Sequence, residues 1–107
     1  MTEILNAIAE PRRQQILQLL WERELSAGEI HRSVGAVTFG AVSQHLKVLS
    51  DRGVVAVRRE GRRRYYRVRR EALGPLATWL DQMWAEKLAQ LRDLAEIEQA
   101  AKAAAGD

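Results

Sequence analysis

No cysteine occurs among the 107 residues. Disulfides and thiolate metal ligands are therefore excluded. Histidine is nearly as scarce: His31 and His45 are the only two, and no pair of carboxylates converges in the sequence pattern. This set offers no catalytic constellation, so the chain does not read as an enzyme. His31 taken alone reads as a surface histidine. No apolar run approaches the roughly 18 residues that a membrane helix needs. The stretch MTEILNAIAEPRR is too poor in apolar residues for a signal peptide, and a soluble cytoplasmic protein is the expectation. Internal repeats are missing, and the only low-complexity stretch is the Ala-rich tail. The two prolines, Pro11 and Pro75, both fall near helix starts, where a missing N–H costs little.

What remains is a chain 47% apolar and 29% charged, ordinary for a soluble globular protein. Its length predicts one domain, residues 1–107. The charge is unevenly spread. Residues 1–70 hold 14 basic and 7 acidic residues, and residues 71–107 hold 3 and 7, so +7 and −4 make up the net +3. A basic working surface and a separate acidic helix are implied.

The most informative stretch is VSQHLKVL, residues 42–49. Val42, Leu46 and Leu49 follow the i, i+4, i+7 spacing of a buried helical stripe. Gly40, Ser43, Gln44, Lys47 and Asp51 fall on the opposite side. That front is bare and donor-bearing, suited to lying close against another surface. Directly after it, residues 52–70 carry nine arginines against one acid, Glu60. A bare helix face beside an Arg-rich strand pair suggests a reader of the DNA groove with a phosphate clamp.

The flanking segments fit that picture. Ile4, Leu5 and Ile8 share one face of a short helix over 2–9, ended near Glu10 by Pro11. A second helix covers about 11–22, with Ile16, Leu17, Leu20 and Trp21 inward. Arg12 and Arg13 stand in its first turn, the wrong end for the helix dipole. Arg12 reads as a solubility residue rather than a phosphate contact. Ser26 and Glu29 form a capping box that opens a helix over about 27–34. Gly35 breaks it, Thr38 caps the next, and a helix of about 39–52 stops at Gly53. This is a helix-turn-helix over about 26–52. VVAVRREGRRRYYRV, residues 54–68, reads as a β-hairpin turning at Glu60-Gly61, with Arg58, Arg59, Arg62, Arg63 and Arg64 at its tip. One of Tyr65 and Tyr66 should pack on the core and the other cover arginine stems. From Glu71 a single helix is predicted to about 100, its stripe formed by Leu73, Leu76, Leu80, Met83, Trp84, Leu88, Leu91 and Leu94. At 25–30 residues it would span on the order of 40 Å, longer than so small a domain needs. Beyond Leu88 a second chain is expected to cover it. Trp79 and Trp84 read as core or interface packing, and the AAKAAAGD end should fray.

In order and in motif, the chain closely resembles the ArsR (arsenic-repressor-type) family of bacterial transcriptional regulators over about residues 3–90. The resemblance rests on EPRRQQILQLL (10–20), ELSAGEI (24–30), VSQHLKVLSDRGVV (42–55) and REGRRRYYRV (59–68). It implies a mainly α fold with a small β-hairpin: a winged helix-turn-helix whose extra terminal helices, about 2–9 and 71–100, build a homodimer. Ile4, Leu5, Ile8, Leu80, Met83, Trp84, Leu88 and Leu91 are then the dimerisation residues. It further implies repression at an imperfect inverted repeat of double-stranded DNA in the regulator's own promoter region. An inducing signal, with an unidentified small molecule as its source, would release the protein. Matched by position, the helix contacts fall on Thr38, Ser43, Gln44, His45 and Lys47, and the wing contacts on Arg62, Arg63, Arg64 and Tyr66. Gly40, Arg58 and Arg59 join them from the reading of charge and bulk above.

The chain departs from the family in three places. Ser26 and Gly28 stand where many members carry two metal-binding cysteines. Residues 71–107 contain no histidine for the family's other metal site, so neither metal nor cofactor is expected. The turn GAVTFGAVS is one residue longer than usual, with Phe39-Gly40 replacing a polar-Pro start. A rival function remains: a winged helix that uses its Arg-rich hairpin to bind an acidic protein. The bare front of helix 39–52 favours DNA over that rival, since a docking helix would carry apolar or aromatic groups there.

Overall fold

A computed structural model describes residues 2–105, with the side chains of Leu88 and Ala105 outside the described set. The chain divides into two compact units. The first ends at Gly74 and the second begins at Pro75.

The first unit opens with α1 (Thr2–Ala9) and α2 (Pro11–Leu20). Glu10 caps α2, its carboxylate accepting the Arg13 N–H at 2.8 Å, and Pro11 fills the first helical position. The expected end of α2 near residue 22 is two residues too late: helix geometry persists at Trp21, but its N–H bonds three residues back to Gln18, a tightened last turn. Then come β1 (Leu25–Ser26) and α3 (Ala27–Val34). The expected capping box is present. Ser26 Oγ accepts from the Glu29 N–H at 3.2 Å, and the Glu29 carboxylate accepts from the Ser26 N–H at 3.0 Å.

After the turn, α4 (Phe39–Asp51) begins on the Thr38 cap, whose hydroxyl accepts from the Ala41 N–H at 3.1 Å. It closes in a Schellman motif. Gly53, with φ +75°, donates to Ser50, and the Val54 N–H reaches back to Leu49. Leu49 and Val54, the pair that this motif brings together, are fully buried. The hairpin follows as β2 (Val55–Glu60) and β3 (Arg63–Val68), turning on Gly61 at φ +62°. A two-residue turn of this kind needs a left-handed first position, which glycine supplies. The three strands form one antiparallel sheet in the order β1-β3-β2. β1 was not expected. Two residues, Leu25 and Ser26, are too few to show an alternating pattern, and it is their pairing with Tyr66 and Tyr65 that makes them a strand.

The core of this unit takes Ile16, Leu17 and Leu20 from α2, Ile30 from α3, and Val42, Leu46 and Leu49 from α4, all nearly inaccessible. α5 (Arg70–Leu73) ends the unit at Gly74, where φ is +57°. One continuous helix from Glu71 was expected. The positive φ at Gly74 breaks it, and α6 (Pro75–Ala105) starts afresh with Pro75 at its first position. α6 also runs further than expected. The Ala-rich segment is helical to Ala105, consistent with alanine's propensity, while Gly106 and Asp107 lie outside the described residues. Leu80 and Trp84 are buried, whereas Trp79, Met83, Leu91, Leu94 and Ile97 are exposed. No helix among the described residues is long and apolar enough to cross a membrane.

Ser26 holds both a strand position and a helix cap. Ser26→Ala should therefore cost about 1 kcal/mol of stability, at the typical value for a lost cap. The urea midpoint should fall with an unchanged slope, and Ser26→Thr should recover most of it.

Candidate nucleic-acid interface

The rotation of α4 is set by Val42, Leu46 and Leu49, which sink into the core. Ser43, Gln44 and Lys47 are consequently exposed on the other side. Gly40 is exposed too. A Cβ there would meet only Thr38 Oγ1, at 3.9 Å. The bareness of this front is therefore not demanded by packing within the chain.

The hairpin sorts its residues by register. Val55–Val68, Val57–Tyr66 and Arg59–Arg64 are paired on one face, and Ala56–Arg67, Arg58–Tyr65 and Glu60–Arg63 on the other. Tyr66 is buried and Tyr65 half-buried under the Arg58 guanidinium, 4.7 Å from the ring centroid. The two tyrosines thus divide as the alternation predicts. α4, α3 and the hairpin enclose an open cleft of about 1020 Å³. Ser43, Gln44 and Lys47 line it from α4, and Arg62, Arg63, Arg64 and Tyr66 from the hairpin. Seven of the expected contact residues therefore meet around one cleft. Tyr66 takes part from a largely buried position.

Others do not. His45 is directed at α2, with Nδ1 3.4 Å from Arg13 Nη1 and 3.7 Å from the Glu10 carboxylate. It lies outside the cleft lining, although the resemblance counts it among the helix contacts. Arg13 in turn donates to the carbonyls of Ala7 and Asn6. A cation that is misplaced for the dipole of α2 thus serves the C-terminal end of α1. Arg12 is bonded to Gln15. Arg58 is not equivalent to its neighbours either. It donates to Glu24 at 2.7 and 3.3 Å and to Glu60 at 2.8 Å. These bonds hold its guanidinium well above its ordinary pKa and the Glu24 carboxyl below its own. Arg59, Arg62, Arg63 and Arg64 are exposed and have no ion-pair partner among the described residues. Lys47 pairs with Asp51 at 2.9 Å, but both are exposed. Such a pair is worth a few tenths of a kcal/mol and yields readily to a competing anion. Thr38 and Gly40 are exposed at the start of α4, outside the cleft lining. The sequence reading missed Phe39 and Val57, two exposed apolar residues that line the cleft. The signal for Phe39 was an aromatic at a helix start with no stripe to join.

The arrangement is a donor-bearing helix front and a set of free guanidiniums opening on one cleft, the pieces needed for base edges and phosphates together. Residues 10–57 match the model of the bacterial regulatory proteins of the arsR family. The HTH-type transcriptional regulator Rv2034 of Mycobacterium tuberculosis is 37% identical over 92 residues, covering 86% of this chain and 85% of its own. The chain belongs to the arsR family. It is accordingly a transcriptional regulator with a winged-helix DNA-binding domain, and not an enzyme. The transcriptional repressor SdpR of Bacillus subtilis is 29% identical, covering 75% of this chain and 88% of its own. Among solved structures, the homodimeric winged helix-turn-helix DNA-binding domain Mb0332 of Mycobacterium bovis matches with a TM-score of 0.67 and 33% identity, over 79% of this chain and 78% of that one.

Four carboxylates make the fold acid-sensitive. At Glu10 burial raises the pKa, but hydrogen bonds from the Arg13 and Arg12 N–H groups and the nearby charges of His45 and Arg13 outweigh it. At Glu24 the Arg58 hydrogen bond dominates, at Glu29 the Ser26 N–H, and at Glu71 a backbone hydrogen bond followed by Arg69. All four lie below the ordinary 4.5. The folded state thus holds these protons less tightly than the unfolded chain. Their stabilisation is complete above pH 4.5 and is lost as pH falls through the depressed values. Urea midpoints measured from pH 7 to pH 3 should drop below about pH 4.5, and Glu24→Gln should shrink that drop.

Proposed function

We propose that the protein is a homodimeric, metal-independent repressor that binds an inverted-repeat operator in double-stranded DNA. The observation that carries this reading is the shared cleft: Ser43, Gln44 and Lys47 on one wall and Arg62, Arg63 and Arg64 on the other. Gln44 is the base reader, bidentate to adenine, and Lys47 reaches guanine or phosphate. Ser43 and Thr38 position the backbone, and the wing arginines hold flanking phosphates or enter the minor groove. Arg58 supports the wing through Glu24 and Glu60 rather than contacting DNA.

Dimerisation draws on α1 and α6. Leu5, Met83 and Leu91 are exposed apolar groups of the kind a second copy would cover, joined by Trp79, Leu94 and Ile97. Ile4 is half-buried. Ile8, Leu80 and Trp84 belong to the set that the resemblance assigns to the interface. The Leu88 side chain lies outside the described residues. The homodimeric Mb0332 domain and the repressor SdpR support the assembly and the mode of action. Metal independence is supported by Ser26 and Gly28 where thiolates would stand and by the lack of histidine in residues 71–107.

Duplexes selected from a random pool test the assignment. Gln44→Ala should relax specificity at one position, by about 1–3 kcal/mol. Arg63→Ala should weaken all sequences alike and reduce the salt slope by about one. Gly40→Ala should stabilise the helix by up to about 1 kcal/mol yet weaken binding, because the methyl occupies the approach to the groove. A footprint should show two half-sites about 34 Å apart. Unchanged base preference in Gln44→Ala would remove it as the base reader.

A further inference from the structure

Phe39 is the first residue of α4 and the only aromatic on it. Its side chain is 49% exposed. Helix propensity gives no reason for a phenyl ring there, and packing accounts for only half of its surface. The ring is nonetheless held in place. It meets His31 edge-on, with centroids 5.6 Å apart and planes at 80°. His31 Nε2 lies 2.9 Å from the Val37 carbonyl, where a protonated Nε2 donates to it and ties the ring's neighbour to the turn before α4. Gly40, next in sequence, adds no bulk in front of the ring. Phe39 opens on the same cleft as Ser43, Gln44 and the wing arginines.

A rigid apolar group in such a place has few uses. Phosphates, sugars and most base edges are polar, and a phenyl ring offers them no hydrogen bond. The major groove carries one apolar feature, the C5-methyl of thymine. We propose that Phe39 reads a thymine methyl in the operator. This rests on the DNA-reading role of α4 stated above and adds a specificity residue to it. Phe39 and Gln44 are five residues apart, about 7.5 Å along the helix axis, so the thymine is a different base from the one that Gln44 contacts. The ordering by His31 makes the contact cheap in entropy, since the ring is already in place before DNA arrives.

The test uses the duplexes that the wild-type protein selects from a random pool. Each selected thymine is replaced singly by deoxyuridine, which removes only the C5-methyl. One replacement should weaken wild-type binding about fourfold, the worth of one buried methyl. Phe39→Ala should bind the thymine and uracil duplexes equally well, and Phe39→Leu should retain part of the preference. Gln44→Ala should keep the full thymine effect. The inference is overturned if no replacement weakens the wild type, a result that does not depend on any variant folding. It is equally overturned if Phe39→Ala keeps the preference. A pool that yields no preferred sequence would remove the DNA-reading role itself, and this inference with it.

Discussion

The burial of Val42, Leu46 and Leu49 is the constraint on which the functional surface depends. Three aliphatic side chains cannot be withdrawn from the core without a cost of several kcal/mol, so α4 has one rotation about its axis. That rotation decides which residues face outward. The lever is tightened at both ends. Thr38 caps the start, and Gly53 with Val54 closes the end. The hairpin leaves directly from that closed end, so the core stripe of α4 also sets where the arginines stand. A winged helix-turn-helix can in this way present a helix front and a wing to one cleft with few residues dedicated to the task.

Electrostatics then divides a crowded basic hairpin into two populations. Arg58 is locked between Glu24 and Glu60 and stacked on Tyr65, which stiffens the wing. The exposed guanidiniums beyond it keep their charge free for a partner. Near the middle of α4, Arg13 and Glu10 hold His45 against α2. At the wing, Arg58 is structural and its neighbour Arg59 faces outward. Net charge alone would not separate them.

Much of this was legible in the sequence because it is local. The 3.6-residue stripe of α4, the Ser26–Glu29 capping box, the glycine stops and the Glu60-Gly61 turn each need only a few adjacent residues. What the sequence hid is set by distant partners. β1 exists because Leu25 and Ser26 meet β3. Arg58 differs from Arg59 because Glu24, 34 residues away, meets one and not the other. Arg13 looked misplaced on its own helix because its acceptors belong to α1. The break at Gly74 was hidden differently: Gly-Pro near a helix start is tolerated, and only the positive φ separates α5 from α6. The residues around the cleft were mostly named in advance, but Phe39 was read as a departure from the family and not as part of the site.

Everything above turns on sequence-specific recognition of DNA without metal. Fluorescence anisotropy with the duplex upstream of the protein's own gene and with a scrambled duplex, across a salt series and with or without Zn²⁺, tests it most directly. The upstream duplex should bind at least about a thousandfold tighter near physiological salt, with zinc making no difference. Equal binding to both duplexes that disappears near physiological salt would contradict it, leaving only a basic surface.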